Sequence, residues 1–202
     1  MTRYLTFVAL LTAAAPLAAE DKDALYFPTK QGTKLVYEVR RTAPSGGEST
    51  GALTDTIVTV ETKGDAFRVL IVHSSGPGKS GNSLWEVSSK GLFAVPAKEG
   101  DPKAAELKLP AKDGDTWTTE SKGAEGKTRT TTYKVGKEVV VEVPAGKFKT
   151  IPVETVVRDG DDVVRTTMNW YAPGVGLVKR SNKVNKLNTE SVMVLKEIKP
   201  GK

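Results

Sequence analysis

The sequence contains no cysteine and only one histidine among its 202 residues. The lack of cysteine excludes disulfide scaffolds, thiol catalysis and cysteine-ligated zinc or iron–sulfur sites. A single histidine excludes multi-histidine metal sites and leaves little room for Ser-His-Asp chemistry. We therefore expect no metal and no cofactor, and we expect that the protein is not an enzyme.

Aromatic residues are scarce, at 6% of the chain. The basic residues form no dense block. Lys and Arg exceed Asp and Glu by 30 to 24, which gives a formal net charge of +6. Because these charges are spread along the chain, they predict a solvated surface rather than a nucleic-acid site. Weak attraction to anionic polymers of the cell envelope is the alternative.

Long apolar runs are absent except at the start. Residues 1–19 have one basic residue near the start, Arg3, then an apolar stretch, and end on small residues before Glu20. These are the parts of a secretory signal peptide, and Pro16 interrupts the roughly 20 apolar residues that a spanning helix needs. We predict cleavage after Ala19 and a periplasmic or secreted protein. With no cysteine after the apolar stretch, we expect no lipoprotein.

Beyond residue 24 the apolar residues recur with a period of two and are rich in Val, Thr, Ile and Tyr. Leu35, Tyr37 and Val39 are one such series, which is typical of a strand with one buried face. Asp-Gly between two apolar runs at 156–165 predicts a tight hairpin. Only 101–106 has the character of a helix start. The pattern predicts an all-β protein with an antiparallel meander of about 11–12 strands.

Several motifs recur at offsets of 81 to 85 residues. A Pro-x3-Gly motif at Pro28 returns at Pro110, and Trp-x5-Gly-Leu at Trp85 returns at Trp170. Such collinear matches predict two sequence-similar halves, approximately 25–109 and 110–200.

We expect the two halves to form a single β domain over residues 20–202, because no long polar linker separates them. A twisted sheet of ten or more strands tends to curl, split or close. The sequence therefore predicts a curved antiparallel sheet, either a half-barrel, a closed barrel or two facing sheets.

Two motifs resemble known sites without matching them. Gly78-Lys79-Ser80 has the end of a phosphate-binding loop, but His73 occupies the place of its first glycine. Asp159-Gly160-Asp161-Asp162 lacks the glutamate that completes a calcium loop. Ser74 and Ser75 lie beside His73, but neighbouring strand residues point to opposite faces. We predict ordinary turns at both motifs.

The aromatic residues that fall at repeated or strand positions are the candidate ligand-binding residues. Packing in the core is the interpretation we favour for them, and the lining of a cavity for an apolar or sugar ligand is the alternative. The set consists of Tyr37, Phe67, Trp85, Trp117, Phe148, Trp170 and Tyr171.

Three motifs carry a resemblance to a family. The first motif is Tyr26-Phe27-Pro28, followed by a Gly-x4-Tyr strand. The second is Val-Pro-Ala-Gly-Lys-Phe at 143–148, and the third is Trp-Tyr-Ala-Pro-Gly-Val-Gly-Leu-Val-Lys at 170–179. In these motifs the chain resembles a broad set of exported bacterial β-rich proteins with a domain of unknown function. The resemblance implies a curved antiparallel sheet, distantly similar to the half-barrels of outer-membrane lipoprotein carriers. It implies no catalytic residues.

The sequence therefore predicts an exported, non-enzymatic β module that binds an apolar or envelope-derived ligand, or a protein partner. A structural or protein-interaction module with a filled core is the alternative. A carboxylate-based hydrolase is the least favoured reading, and it would need two acidic residues close together on the concave face. Its candidates are Glu86, Glu154 and Glu190.

Overall fold

A computed structural model describes residues 24–98, 100–122 and 128–201. The predicted signal peptide, 1–19, lies outside the described residues. In those ranges the chain forms one turn of 3-10 helix, Asn185–Leu187, no α-helix, and thirteen strands. The strands are β1 (Lys34–Thr42), β2 (Glu48–Lys63), β3 (Ala66–Ser74), β4 (Ser80–Ser88), β5 (Gly91–Val95), β6 (Ala104–Lys108), β7 (Thr116–Lys122), β8 (Thr128–Val135), β9 (Val139–Val143), β10 (Gly146–Asp159), β11 (Asp162–Ala172), β12 (Gly176–Val184) and β13 (Thr189–Lys199).

All strands belong to one antiparallel sheet in which most sequence neighbours pair. Its order is β6-β5-β4-β3-β2-β1-β13-β12-β11-β10-β8-β7, and β9 pairs with β10 beside this path. Pairing of β1 with β13 brings the first and last strands together. The sheet curls into a nearly closed, barrel-like shape, which confirms the predicted fold class.

The barrel is nearly closed at a seam between β6 and β7, the two ends of the strand order. The indole Nε1 of Trp117 on β7 donates a hydrogen bond to the carbonyl oxygen of Ala105 on β6, at 2.9 Å. The same ring stacks on Tyr133, with 5.0 Å between centroids. A side chain therefore connects the two edge strands at the seam.

One end of the barrel is filled by apolar side chains. Alternation in the strands directs Val69, Leu107, Val153 and Leu195 inward, where each is fully buried. The segment 24–33 closes this end, because Phe27 packs there and stacks on Trp85 at 6.4 Å. Apolar side chains therefore form the core of this half of the barrel.

Gly176 permits that closure. Its φ is +85°, and a Cβ at this position would lie 2.9 Å from Cδ2 of Phe27. Any other residue would therefore meet both backbone strain and the Phe27 ring. The backbone N–H of Gly174 also donates to the carbonyl oxygen of Leu25, at 2.6 Å.

The predicted hairpin at 156–165 is confirmed: Asp159 pairs with Asp162, and Gly160 takes a φ of +61° in the turn. The predicted helix start at 101–106 is wrong, because residues 104–108 form β6. This segment pairs with β5, and the register of the pair shifts at a bulge between Leu92 and Phe93.

The sequence repeat corresponds only in part to structural equivalence. Gly91 and Gly176 both begin a strand with positive φ. Trp85, however, lies on the concave face with Val69, whereas alternation between the buried Asn169 and Tyr171 places Trp170 on the outer face. The origin of the chain from two duplicated halves stays a prediction.

Candidate functional site

The open end of the barrel contains a cavity of about 530 Å³. Its walls come from β1, β2, β6, β8 and β10 to β13, whose alternate residues face the concave side. Most of the lining side chains are polar, and we call this cavity the polar cup. Its polar residues are Arg41, Glu106, Thr131, Thr155, Arg165, Thr167, Asn169, Arg180, Asn182 and Ser191.

Arginines outnumber carboxylates in the polar cup. Arg41, Arg165 and Arg180 line it, and Glu106 is its one acidic lining residue among the described parts of the chain. Burial raises the pKa of Glu106, and the charge of Arg180 opposes this shift. Even with Glu106 ionised, the polar cup has an excess of positive charge.

A neutral partner holds the Arg180 side chain in place. Its Nε donates to Oδ1 of Asn169 at 2.7 Å, and its positive charge acts on the nearby Tyr171 hydroxyl. Burial raises the pKa of Tyr171 far above its usual range, so this hydroxyl stays neutral. Among the described residues, no carboxylate lies within ion-pair distance of Arg180. Its position is therefore fixed while its charge is not neutralised.

The remaining polar lining includes one hydroxyl without a partner. Thr167 donates to Oδ1 of Asn182 at 3.0 Å. Thr155 is 9% exposed, and its hydroxyl has no hydrogen-bond partner within the described part of the molecule. Burial also raises the pKa of Tyr133 to about 12, so its hydroxyl stays protonated at neutral pH.

A chain of hydrogen bonds lies across β2, β3 and β4. Nδ1 of His73 contacts Oδ1 of Asp55 at 2.7 Å, and Nε2 of His73 contacts Oγ of Ser83 at 2.7 Å. Nε1 of Trp85 donates to the same Ser83 oxygen at 2.8 Å. The carboxylate can only accept, so the neutral imidazole has its proton on Nδ1 and Ser83 donates to Nε2. The register places Asp55 and His73 side by side on the concave face.

The order Ser-His-Asp is the one that activates a serine nucleophile. The pKa of His73 is raised, mainly by its hydrogen bond to Asp55 and against the effect of burial. Ser83, however, lies inside β4 opposite Ile71 rather than on a strand-to-helix elbow. Sequence reasoning missed this chain because Asp55 and Ser83 lie 18 and 10 residues from His73.

The aromatic residues predicted to bind a ligand occupy three kinds of place. Tyr37 and Tyr171 are buried in the interior, and the Tyr37 hydroxyl donates to the Leu177 carbonyl at 3.0 Å. Trp117 bridges the seam, as described above. Phe67 and Trp85 are partly buried against the core residues around Val69, and Phe148 is partly buried against those around Leu195. Trp170 lies outside, with Lys179 Nζ 5.0 Å from its ring.

Among the described residues, the polar cup has one aromatic lining residue, Tyr133. None of the seven predicted residues lines it. Their part in binding stays a prediction. No sequence signal separated Tyr133 from the other strand aromatics, because its role depends on which strands meet at the seam.

The acidic residues considered for hydrolysis are on the outer face by strand alternation. Glu86 forms an ion pair with Lys103, and Glu190 with Lys183 at 3.2 Å. Glu154 lies opposite Lys134 in the register, between the inward-facing Val153 and Thr155. In residues 24–98, 100–122 and 128–201, no cluster of three or more potential metal ligands occurs.

Within those same ranges, no helix has the length and apolar character required to cross a membrane.

No protein-family model matches the chain, and no curated protein is significantly similar to it. Among solved structures, it is similar to a Bacteroides fragilis protein with a YmcC-like fold, named as a candidate exported protein. The TM-score is 0.53 and the identity 16%, over 87% of this chain and 99% of that chain. A candidate lipoprotein from Parabacteroides distasonis gives a TM-score of 0.51 and 17% identity, over 87% of this chain and 99% of the other.

The fold is shared with those two proteins. At such identities the similarity shows the fold alone, and it confirms at that level the predicted resemblance to exported β-rich proteins. A LolA superfamily protein from Nitrosomonas europaea aligns over 87% of this chain, with 10% identity and a TM-score of 0.36. That score does not show a common fold.

Proposed function

We propose that the mature chain is an exported, non-enzymatic binding module whose polar cup holds an envelope-derived ligand. The observation that carries the proposal is the cavity of about 530 Å³, open at one end of a barrel whose other end is filled. This volume falls within the roughly 300–1,000 Å³ of ordinary small-molecule sites.

Export is supported by the signal-peptide pattern at 1–19. The names of the two proteins that share the fold refer to export and to a lipoprotein, and we extend the envelope location from them to this chain. Secretion of the full chain from a bacterial host, followed by intact-mass measurement, should give a protein that begins at Glu20. Retention of residues 1–19 would contradict this part of the proposal.

The lining of the cup refines the expected ligand. A wholly apolar ligand would leave Arg180, Asn169 and Thr155 desolvated without new hydrogen bonds, which costs binding free energy. We therefore favour a ligand with polar groups over a purely apolar one. The alternative of a structural module with a filled core has less support, because the polar half of the interior contains open space.

Native mass spectrometry of the chain, purified gently from the envelope fraction, tests the proposal. We expect an additional non-covalent mass on the wild-type protein. Ser191→Trp should abolish it, since Ser191 lines the cup. Val192→Trp is the matched control, because Val192 is 38% exposed on the opposite face of β13 and its replacement should leave the bound mass unchanged. A wild-type protein without bound mass would contradict the proposal.

Ester hydrolysis is the second candidate function, and the Asp55–His73–Ser83 hydrogen bonds favour it. In this scheme Ser83 Oγ attacks the ester carbonyl while His73 Nε2 takes its proton. His73 then gives the proton to the leaving alcohol, and water cleaves the acyl-serine to release the acid. A fluorophosphonate probe distinguishes the two functions: an adduct on Ser83 that His73→Gln abolishes would establish hydrolysis, and an unlabelled protein would support binding alone.

A further inference from the structure

Charged side chains on the outer surface differ from those in the polar cup. Outside, cations are commonly paired: Arg40 with Glu38 at 2.9 Å, and Lys183 with Glu190 at 3.2 Å. Within the described residues, Arg41, Arg165 and Arg180 form no ion pair, although all three line one cavity. Three arginines around one cavity, none of them ion-paired among the described residues, fit a site that takes an anionic ligand.

Arg180 is the anchor of this group. Its Nε hydrogen bond to Oδ1 of Asn169, at 2.7 Å, holds it with a neutral acceptor, so its full charge stays available. A guanidinium keeps further N–H donors in a planar fork that suits two oxygens of one anionic group. Glu106 does not form an ion pair with it, although its charge acts on Arg180 from within the same cavity.

Two further features favour an anionic oxygen ligand. Thr155, which is 9% exposed and lines the cup, has a hydroxyl without a partner in the described structure, and rotation about its χ1 can direct that donor to a ligand oxygen. Nearer the rim, the exposed Arg41 side chain lies beside Gly51, where even a Cβ would make only an ordinary van der Waals contact with it, at 3.4 Å.

We propose that Arg180, assisted by Thr155 and by Arg41 and Arg165 nearer the rim, forms a subsite for a carboxylate, phosphate or sulfate group of the ligand. This inference rests on the proposed binding function and specifies the chemistry of its ligand. The anionic group belongs either to an amphiphile or to an acidic sugar, and both would present the same oxygens to Arg180.

Titration calorimetry of the mature chain with defined probes tests the inference. Octyl phosphate and octanoate represent the amphiphile, glucose 6-phosphate the sugar, and octyl glucoside and glucose are the uncharged counterparts. We expect at least one anionic probe to bind about tenfold more tightly than its uncharged counterpart, and binding should weaken as salt is added. The series that shows this preference identifies the source of the anionic group.

Arg180→Gln should remove the preference for the charged probe, whereas Arg40→Gln should retain it. Arg40→Gln is the matched control, because this substitution removes the same charge from the outer face, one residue away from Arg41. If Arg180→Gln does not fold, Arg41→Gln and Arg165→Gln provide the test, since both side chains are exposed at the cavity and should each weaken anion binding several-fold.

The outcomes separate the two proposals. If uncharged and anionic probes bind equally, and the cup variants bind as the wild type does, the cup binds a ligand but the anion subsite is overturned. If Arg40→Gln weakens anion binding as much as Arg180→Gln does, general surface charge is responsible and the subsite is again overturned. If the wild type binds no probe and native mass spectrometry shows no retained mass, the binding function itself fails.

Discussion

His73 is the chain's only histidine, so it gives a single imidazole signal in an NMR titration of the untagged protein. Its pKa is raised above 6.5, first by the hydrogen bond to Asp55. Asp55→Asn removes the carboxylate, and we expect the pKa of His73 to fall below its wild-type value. Glu61→Gln, on the same strand but exposed near its far end, is the control and should leave the titration unchanged. An unchanged pKa in Asp55→Asn would show that the two side chains do not interact.

The same pair sets the direction of one pH effect on stability. The folded-state pKa of His73 is raised, so the contribution of the pair to the free energy of unfolding is complete below the unfolded pKa. It is lost as the pH rises through the folded pKa. Urea unfolding of wild type and Asp55→Asn should therefore differ most below about pH 6.5 and less in the alkaline range. A difference that grows with pH would contradict the assignment.

Residue roles were the hardest to predict from the sequence. Alternation identified Tyr37 as a core residue, and its burial follows directly from that pattern. The partners of His73 depend on the register of two hairpins, and Arg180 becomes unusual only when its neighbours are known. A sequence cannot distinguish an unpaired arginine from a paired one, because the partner can lie on another strand, as Asp159 does for Arg129.

At the scale of the elements, the seam between β6 and β7 depends on Trp117. Trp117→Phe keeps a ring that can stack on Tyr133 but removes the hydrogen bond to the Ala105 carbonyl. We expect a loss of about 1–2 kcal/mol in the free energy of unfolding, together with faster hydrogen exchange in β6 and β7. Trp170→Phe, on the outer face, should cost less and leave exchange in those strands unchanged. Equal effects of the two substitutions would mean that the seam bond adds nothing.

Gly91 is the residue that allows β5 to begin beside β6. Its φ is +135°, and a Cβ would overlap the carbonyl oxygen of Leu107. Gly91→Ala should therefore lower the free energy of unfolding by about 2 kcal/mol or more in urea titration. Gly81→Ala, whose Cβ would meet nothing within 4 Å, is the matched control. A Gly91 variant as stable as that control would show that β5 starts differently.

Elements were more predictable than residue roles because period-two alternation depends only on the chain itself. The hairpin between β10 and β11 follows from Asp-Gly and its flanking valines. The exception is β6: its sequence, Ala-Ala-Glu-Leu-Lys, favours helix, and only pairing with β5 makes it a strand. Tertiary contacts therefore overrode local propensity at the edge strand.

At the scale of the whole molecule, the break in the barrel lies in the middle of the chain rather than at its ends. β1 pairs with β13, and the Gly201 backbone N–H donates to the Thr33 hydroxyl at 3.3 Å. A circular permutant that joins residue 201 to residue 24 by a flexible linker long enough to span the two ends, and opens at 112–113, should fold with the wild-type near-ultraviolet circular dichroism. The control, opened within β1 at 37–38, should not fold. If the permutant opened at 112–113 does not fold, the strand order is contradicted.

The overall class could be predicted because many short strands with turn signals leave a curved sheet as one of few solutions. What the sequence could not predict is that the interior divides into an apolar half and a polar half. This division depends on which end of each strand faces the segment 24–33, and it positions Arg180 and Thr155 in one cavity.

The most direct test of the central claim is a crystal structure of the mature chain grown with octyl phosphate. We expect the phosphate inside the polar cup, with its oxygens within hydrogen-bond distance of the Arg180 guanidinium. Phosphate bound only on the outer face, or Arg180 paired with Glu106 in a cavity that excludes the probe, would contradict the account.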